Sequence, residues 1–162
     1  EPTSPLLLSR ATNLFKLFAS DVGLLASMYS DGLQLRILKG EKDINFGSVY
    51  ENVVAQELQT HGFELYYYNS KKQGELDFLI EQSGVVLPIE VKSGKGYTRH
   101  AALNNVLSTG NYAIPQGIVL CNENVQVVEN IVYYPIYMVM FLQKEEEQEE
   151  MIYKPDFSAL QE

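Results

Sequence analysis

Charged residues interrupt the most apolar part of this 162-residue chain, at a spacing that suits catalysis. The stretch GELDFLIEQSGVVLPIEVKSGKG (residues 74–96) contains Glu75, Asp77, Glu90 and Lys92. Its residue types predict two strands that are joined by a Ser-Gly turn. In the usual hairpin register, Asp77 and Glu90 lie close together on one side of the sheet.

Side chains alternate along a strand, so each of these two strands is expected to have one apolar and one charged side. In the first strand, the alternation assigns Leu76, Phe78 and Ile80 to the apolar side and Glu75, Asp77 and Leu79 to the other. In the second, it assigns Leu87, Ile89 and Val91 to the apolar side and Pro88, Glu90 and Lys92 to the other.

Carboxylates this close together repel each other and resist joint ionisation, so they need a compensating positive charge. Lys92 is one candidate; Mg²⁺ or Mn²⁺, which prefer oxygen ligands, is another. A metal ion held by Asp77, Glu90 and the carbonyl of residue 91 can polarise a phosphodiester. Lys92 can then orient a water molecule or stabilise developing charge, and Glu51 can reach the ion through water. The alternative is a solvated strand edge, where the acids only pair with Lys92.

Helices and further strands surround this hairpin. The clearest helix is NFGSVYENVVAQELQTHGF, in which Ser48 and Glu51 form a capping box and Gly62 supplies the stop. Its predicted buried stripe consists of Val49, Tyr50, Val53, Val54 and Leu58. Residues 13–30 are expected to form a strand that leads into a helix capped by Ser20 or Asp21.

After this helix, the pattern predicts three strands, a second helix stopped by Gly110, two more strands and a last helix opened by Pro135. Residues 33–44 are expected to form a loop or a short helix. This order of elements predicts an α/β fold in which a mixed central sheet is flanked by helices on both faces.

The helix acid, the strand acid and the following Glu-x-Lys together resemble the PD-(D/E)XK nuclease superfamily, with Leu76 in place of its eponymous proline. The resemblance implies a restriction-endonuclease-like core of helix-strand-strand-strand-helix-strand, preceded here by a strand-helix extension. It implies catalytic roles for Glu51, Asp77, Glu90 and Lys92. Glu51, Asp77 and Glu90 would bind the Mg²⁺ or Mn²⁺ ion.

Four segments, FKLFASDVGLLASM, GSVYENVVAQEL, GELDFLI and PIEVKSGK, resemble the uncharacterised C-terminal domain of prokaryotic AAA-type ATPases. That resemblance implies an ATPase module earlier in the same parent chain and a winged-helix-like segment ending within residues 1–45. Residues 46–142 would form the nuclease-like domain, and residues 143–162 an acidic tail. Two functions follow: Mg²⁺-dependent hydrolysis of DNA phosphodiesters, or a catalytically silent interaction module that serves the ATPase.

ATP binding itself is not expected in this chain, because SGKGYT lacks the spacing of a phosphate-binding loop. Lys71, Lys72, Lys95 and Arg99 flank the proposed site and can contact a nucleic-acid backbone, or they are simply solvated loop residues. The adjacent tyrosines Tyr66, Tyr67 and Tyr68 can stack on unpaired bases, although packing within a strand is the simpler interpretation.

Composition and charge limit the kinds of binding partner and the cellular compartment that are expected. The net charge is −9, and seven of the acids follow Gln143, in a tail predicted to be a solvated helix end or disordered. The mildly acidic body lacks the broad basic face of a non-specific DNA binder. The single cysteine, Cys121, suits a core strand in a cytoplasmic protein and excludes an internal disulfide.

No apolar run is long enough to span a membrane, the longest being residues 131–142. Within it, residues 133–141 (YYPIYMVMF) are expected to be the docking face of the last helix, or to contact the ATPase module or a second copy of the chain. His61 and His100 are expected at the surface. Glu57 is expected on the apolar side of the first clear helix, either as a buried hydrogen-bond partner or as another acid near the site.

Overall fold

A six-stranded mixed sheet with helices on both faces organises the computed structural model, which describes residues 2–10, 14–29, 32–41, 44 and 46–144. The fold class predicted from the sequence is therefore confirmed. The helices are α1 (Val22–Met28), α2 (Leu33–Leu38), α3 (Gly47–Thr60) and α4 (Ala101–Leu107). Short 3₁₀ helices cover Leu6–Ser9, Gly110–Tyr112 and Ile136–Phe141. The strands are β1 (Tyr66–Ser70), β2 (Gly74–Gln82), β3 (Val85–Val91), β4 (Gly117–Cys121), β5 (Gln126–Val128) and β6 (Ile131–Pro135).

The strand order is β1-β2-β3-β4-β6-β5. The first three strands are antiparallel neighbours, β3, β4 and β6 are parallel, and β5 folds back antiparallel on β6. Ser83 and Gly84 both have positive φ, as the tight turn between β2 and β3 requires. The parallel step from β3 to β4 passes through α4, which is the connection that parallel strands need.

Two apolar clusters lie on opposite faces of the sheet. Val54, Ala55 and Leu58 of α3 belong to one cluster, and Leu103 and Val106 of α4 belong to the other. Each fully buried leucine or valine contributes about 1.5–3 kcal/mol through removal of its side chain from water. The predicted α3 stripe is therefore correct for Val54 and Leu58, whereas Val49, Tyr50 and Val53 are only half-buried.

An irregularity in β2 changes which side chains share a face. The β1–β2 register shifts between Tyr66 and Tyr68, so that Asp77 and Phe78 together lie opposite Tyr67. Such an extra residue interrupts the alternation of a strand and redirects the side chains beside it.

The prediction that Leu76, Phe78 and Ile80 share one side of β2 is therefore wrong. Leu76 and Leu79 pack in the cluster beneath α4, whereas Phe78 and Ile80 pack beneath α3. In β3 the predicted alternation holds, because Ile89, Val91 and Leu87 all pack beneath α3.

The capping box predicted for α3 is also wrong. The helix begins one residue before Ser48, its N-cap residue is Phe46, and that residue makes no side-chain capping hydrogen bond. Ser48 instead shares a hydrogen bond with the Tyr29 hydroxyl at 2.7 Å, which leaves Glu51 free to contact other groups. The predicted stop is correct, since Gly62 has φ +82° and the Phe63 amide donates to the Leu58 carbonyl.

The strand predicted before α1 does not form. Residues 14–20 have no strand pairing, and the backbone polar groups of Ala19 are bound by the side chain of Asn52 in α3. Asp21 does cap α1, accepting from the Leu24 amide at 2.7 Å, and residues 33–38 form a short helix. The second of the two strands predicted between Gly110 and Pro135 is a hairpin of β5 and β6.

The C-terminal helix predicted after Pro135 is limited, in the described part of the chain, to the 3₁₀ turn Ile136–Phe141. Most of the predicted acidic tail, from residue 145 onward, lies outside the described residues. No helix within the described ranges has the length and apolar character that crossing a membrane requires.

Gly117 provides a test of the packing between α4 and the sheet. A Cβ at this position would lie 2.7 Å from Leu103 Cδ1, which is too close for the two atoms to coexist without movement. We expect Gly117→Ala to lower the free energy of unfolding by about 1–3 kcal/mol, measured by denaturant titration. Gly94→Ala is the matched control, because nothing lies within 4 Å of its added Cβ. Equal stability of both variants would contradict this packing.

Candidate active site

Four carboxylates from three elements converge at one end of the β2–β3 pair. Glu51 comes from the middle of α3, Glu75 and Asp77 from β2, and Glu90 from β3. We call these four residues the acid cluster. The amide of Val91, the residue that follows Glu90, donates a hydrogen bond to Asp77 Oδ2, so the two carboxylates are neighbours. The sequence prediction that Asp77 and Glu90 approach each other is therefore confirmed.

Lys16, from the unpaired segment before α1, lies among these carboxylates. Its Nζ atom is 2.8 Å from Glu75 Oε1, 3.5 Å from Asp77 Oδ1 and 3.8 Å from Glu51 Oε2. The ammonium group also lies 5.5 Å from the centre of the Tyr67 ring, within the range of a cation–π contact. One lysine therefore supplies much of the compensating charge that the sequence analysis assigned to Lys92 or a metal ion.

Asp77 and Glu90 are held by the backbone and by Lys92. Asp77 Oδ2 accepts a hydrogen bond from the Val91 amide at 2.9 Å, which places the carboxylate beside the peptide bond that follows Glu90. Lys92 Nζ donates to Glu90 Oε1 at 2.6 Å. Glu90 Oε2 is buried and has no hydrogen-bond partner among the described residues. A buried carboxylate oxygen in this state is an acceptor that a cation or a water molecule can satisfy.

Crowding of negative charge changes the ionisation of the site. Burial, followed by the charge of Asp77, raises the pKa of Glu51 above its ordinary value, although Lys16 opposes the shift. The same two causes, in the same order, raise the pKa of Glu90 despite the hydrogen bond from Lys92. Burial works against the charge on Lys16, but the hydrogen bond to Glu75 and the charges of Asp77 and Glu51 raise its pKa overall.

The donor chemistry of the site suits a hard divalent cation. Carboxylate oxygens are the preferred ligands of Mg²⁺ and Mn²⁺, and the buried Glu90 Oε2 is available. In the described chain, however, no group of three or more His, Cys, Asp or Glu side chains is arranged to hold a metal ion. The ligand types therefore fit a metal ion, while the present arrangement accommodates the Lys16 ammonium.

A groove of about 510 Å³ opens beside the site, between the N-terminal segment and β1. Its lining includes Asp77, Lys16, Arg10 and the three consecutive tyrosines of β1, but among the described residues it includes neither Glu90 nor Lys92. Tyr66 donates to Glu64 at 2.6 Å, and this hydrogen bond, followed by burial, raises the pKa of Tyr66 to about 12. The groove gives solvent access to Asp77, while Glu90 is only 6% exposed.

The basic residues predicted to contact nucleic acid stay apart from the acids. Lys71 and Lys72 lie in the exposed turn between β1 and β2, and Lys95 and Arg99 lie in the exposed loop before α4. None of the four forms an ion pair with the acid cluster in the part of the chain that the structure describes.

Cys121, His100 and His61 are all buried or half-buried. Cys121 is a core residue of β4, as predicted. His100 is not at the surface: it is 5% exposed and its ring contacts the Tyr133 hydroxyl at 2.6 Å and Asn104 Oδ1 at 3.0 Å. His61 is half-buried, with Nε2 3.8 Å from Glu57 Oε2. Glu57 therefore pairs with a histidine one helical turn away.

Sequence reasoning missed two residues that hold the site. Lys16 lies in the segment that the sequence analysis predicts as a strand, and no local pattern signals its contact with residues so distant along the chain. The Asn52 amide is buried and bonds both polar groups of Ala19. An asparagine among the apolar residues of this helix, directly after the proposed helix acid, is a signal that could have indicated this role.

Fold and site together define an α/β domain with an open mixed sheet and a carboxylate-lysine cluster beside its antiparallel strands. A family model described as a domain of unknown function (DUF4143) matches residues 46–139, more than half of the 162 residues. The chain belongs to this family. No curated protein and no solved structure matches it significantly.

Asp77 is expected to control the ionisation of its neighbours. Because its charge raises the pKa values of both Glu51 and Glu90, Asp77→Asn should lower both pKa values. Titration of the side-chain carboxyl carbons by NMR measures this change. Glu64→Gln, which removes an exposed acid bonded to Tyr66, is the matched control and should leave both pKa values where they are. Unchanged titration of Glu90 in Asp77→Asn would show that the two carboxylates do not interact.

Stability should also depend on pH through Glu90. Its pKa is raised in the folded state above the ordinary 4.5, so the folded state binds more protons than the unfolded state between these two values. The free energy of unfolding therefore falls as pH rises through that window. We expect Glu90→Gln to melt at a higher temperature than the wild type at pH 7, where about 1 kcal/mol corresponds to roughly 2–4 °C. The difference should vanish below pH 4; a gap that persists there would refute this explanation.

Proposed function

We propose that this domain hydrolyses phosphodiester bonds of DNA with the help of a divalent metal ion, and that it works beside an ATPase module of the same parent protein. The observation that supports this most strongly is the convergence of Glu51, Asp77, Glu90 and Lys92 from α3, β2 and β3. These are the residues and elements that the resemblance to PD-(D/E)XK nucleases implies.

Asp77, Glu90 and Glu51 would hold the Mg²⁺ or Mn²⁺ ion. A bound divalent ion supplies positive charge to the scissile phosphate and lowers the pKa of an attacking water. The protein's part is to hold the carboxylates in position. The Val91 amide fixes Asp77 through its hydrogen bond, and Lys92 holds one oxygen of Glu90 while leaving the other without a partner.

Lys92 is suited to act on the reacting groups. Its ammonium group has three protons, of which one is donated to Glu90. The side chain is 29% exposed, so its remaining protons can bind a phosphate oxygen or a water molecule. A fixed positive charge of this kind stabilises the charge that develops as a phosphodiester is attacked.

Phosphate contacts outside the cleavage point would come from the exposed loops on either side. Lys71 and Lys72 in one loop, and Lys95 and Arg99 in the other, supply positive charge without competing acid partners in the described chain. Such contacts position a nucleic acid without reading its sequence. Because the substrate is DNA and the partner is an ATPase, we place this activity in the cytoplasm.

A second candidate function is a catalytically silent module that binds a partner or nucleic acid for the ATPase. The observation that favours it is Lys16, which lies within ion-pair distance of three of the acids and supplies much of the compensating charge without a metal ion. A fold of nuclease type can be kept as a scaffold after its chemistry is lost.

Cleavage of single- and double-stranded DNA in the presence of Mg²⁺ or Mn²⁺ tests the proposal, with the chain assayed both alone and joined to its ATPase module. We expect Glu90→Gln and Lys92→Ala to lose at least 100-fold of the cleavage rate, because each removes a group that acts on the transition state. Lys39→Ala is the control; Lys39 is an exposed residue at the end of α2, remote in sequence from the site.

The result can also contradict the nuclease proposal. Cleavage that persists in both Glu90→Gln and Lys92→Ala would come from a contaminant or another site. DNA retention without any metal-dependent cleavage, weakened by Lys71→Ala and Lys95→Ala, would instead support the silent module.

A further inference from the structure

The contact between Lys16 and the acid cluster is long-range and is made by a segment that lies outside the matched family domain. Residues 14–19, which we call the strap, contain no helix or strand. The family match begins only at residue 46. The strap nevertheless places its single positive charge against Glu51, Glu75 and Asp77. A local counter-charge, Lys92, is already available to the site from β3.

One end of the strap is firmly attached to α3. Asn52 Oδ1 accepts from the Ala19 amide at 2.8 Å, and Asn52 Nδ2 donates to the Ala19 carbonyl at 3.1 Å. Phe18 stacks on Phe78 with ring centroids 5.4 Å apart. The Asn52 side chain is buried and serves the strap alone among the described contacts.

The rest of the strap is held weakly. Leu14, Phe15 and Leu17 are 55%, 73% and 85% exposed, so they contribute little apolar burial. Between the Phe18 anchor and Leu14, the strongest described contact of the strap is the Lys16 ammonium itself. Release of Lys16 therefore requires movement of residues 14–17, none of which is fully buried.

Charge and space prevent Lys16 and a metal ion from sharing the cluster. A divalent ion binds carboxylate oxygens at about 2.0–2.2 Å for Mg²⁺, and the Lys16 ammonium already lies 2.8–3.8 Å from oxygens of three acids. An ion bound to Asp77 would lie within a few ångströms of that ammonium, where two positive charges repel strongly. The four acids and two lysines carry a net charge of −2 when all are ionised, and departure of Lys16 makes it more negative.

We propose that the strap is an autoinhibitory contact, in which Lys16 occupies the acid cluster in place of a divalent cation and must leave before the cation binds. This inference rests on the proposed function, because it assumes that the cluster is a metal site. Displacement of the strap thereby becomes the step that switches the site on.

Binding of Mn²⁺ to the full 162-residue chain, measured by electron paramagnetic resonance and by calorimetry, tests the inference without an activity assay. We expect Lys16→Met, which keeps the length of the side chain but not its charge, to bind Mn²⁺ at least tenfold more tightly than the wild type. Lys39→Met removes an exposed lysine of α2 and should bind as the wild type does. Adding Asp77→Asn to Lys16→Met should abolish the tight site.

A second variant protects the test against misfolding of Lys16→Met, in which the acids lose their counter-charge. Asn52→Leu keeps Lys16 but removes both hydrogen bonds to Ala19, and it should raise Mn²⁺ affinity several-fold because the strap detaches more easily. Circular dichroism confirms that each variant is folded. Bound Mn²⁺ should also raise the melting temperature of Lys16→Met more than that of the wild type.

The outcomes separate the inference from the proposed function. If wild type and Lys16→Met bind Mn²⁺ equally tightly, and Asp77→Asn abolishes that binding, the metal site stands and the autoinhibitory strap is refuted. If no folded variant binds Mn²⁺ in a way that depends on Asp77, the metal site of the proposed function fails, and the strap hypothesis fails with it.

Discussion

Repulsion among carboxylates beside the apolar core is the constraint on which the rest of this site depends. Glu90 is almost fully buried and Asp77 is half-buried, and the charge of Asp77 raises the pKa of Glu90. Placing two such groups together costs free energy unless cations or hydrogen bonds compensate. The structure compensates with a peptide amide for Asp77, with Lys92 for Glu90, and with Lys16 for the outer acids. Crowded, partly buried carboxylates of this kind lower the stability of the folded state, and they are typical of functional sites, where activity requires such an arrangement.

The irregularity in β2 is what brings the acids to one place. A regular strand would carry Asp77 and Phe78 to opposite faces, and the stacking of Phe78 beneath α3 would then direct Asp77 away from Glu51. The register shift opposite Tyr67 relaxes this alternation, so Phe78 packs in the core while Asp77 reaches both Lys16 and the Val91 amide. Extra residues in strands recur next to active sites for this reason.

The parts of this structure that the sequence could predict are those encoded by local patterns. The β2–β3 hairpin, Gly62 as the end of α3 and the proximity of Asp77 to Glu90 follow from alternation, turn chemistry and a short loop. The contacts of Lys16 and Asn52, the burial of His100 and the shift in β2 depend on tertiary packing between distant segments. A local pattern cannot distinguish an alternating strand from an unpaired strap that is anchored by a side chain of α3 at Ala19, which is why the predicted strand before α1 is wrong.

Lys16 and Lys92 bring positive charge to the acid cluster from different parts of the chain, and only one of these parts belongs to the sheet region. Lys92 directly follows β3 and its amide donates to the Leu120 carbonyl of β4, so it stays beside the cluster for as long as the sheet is folded. Lys16 reaches the cluster only through the strap, which is anchored by Phe18 and Ala19 but is otherwise exposed. A permanent cation and a removable one thus share a single set of acids. The removable one belongs to the segment that precedes the family domain, so whatever contacts that segment also controls the net charge of the site.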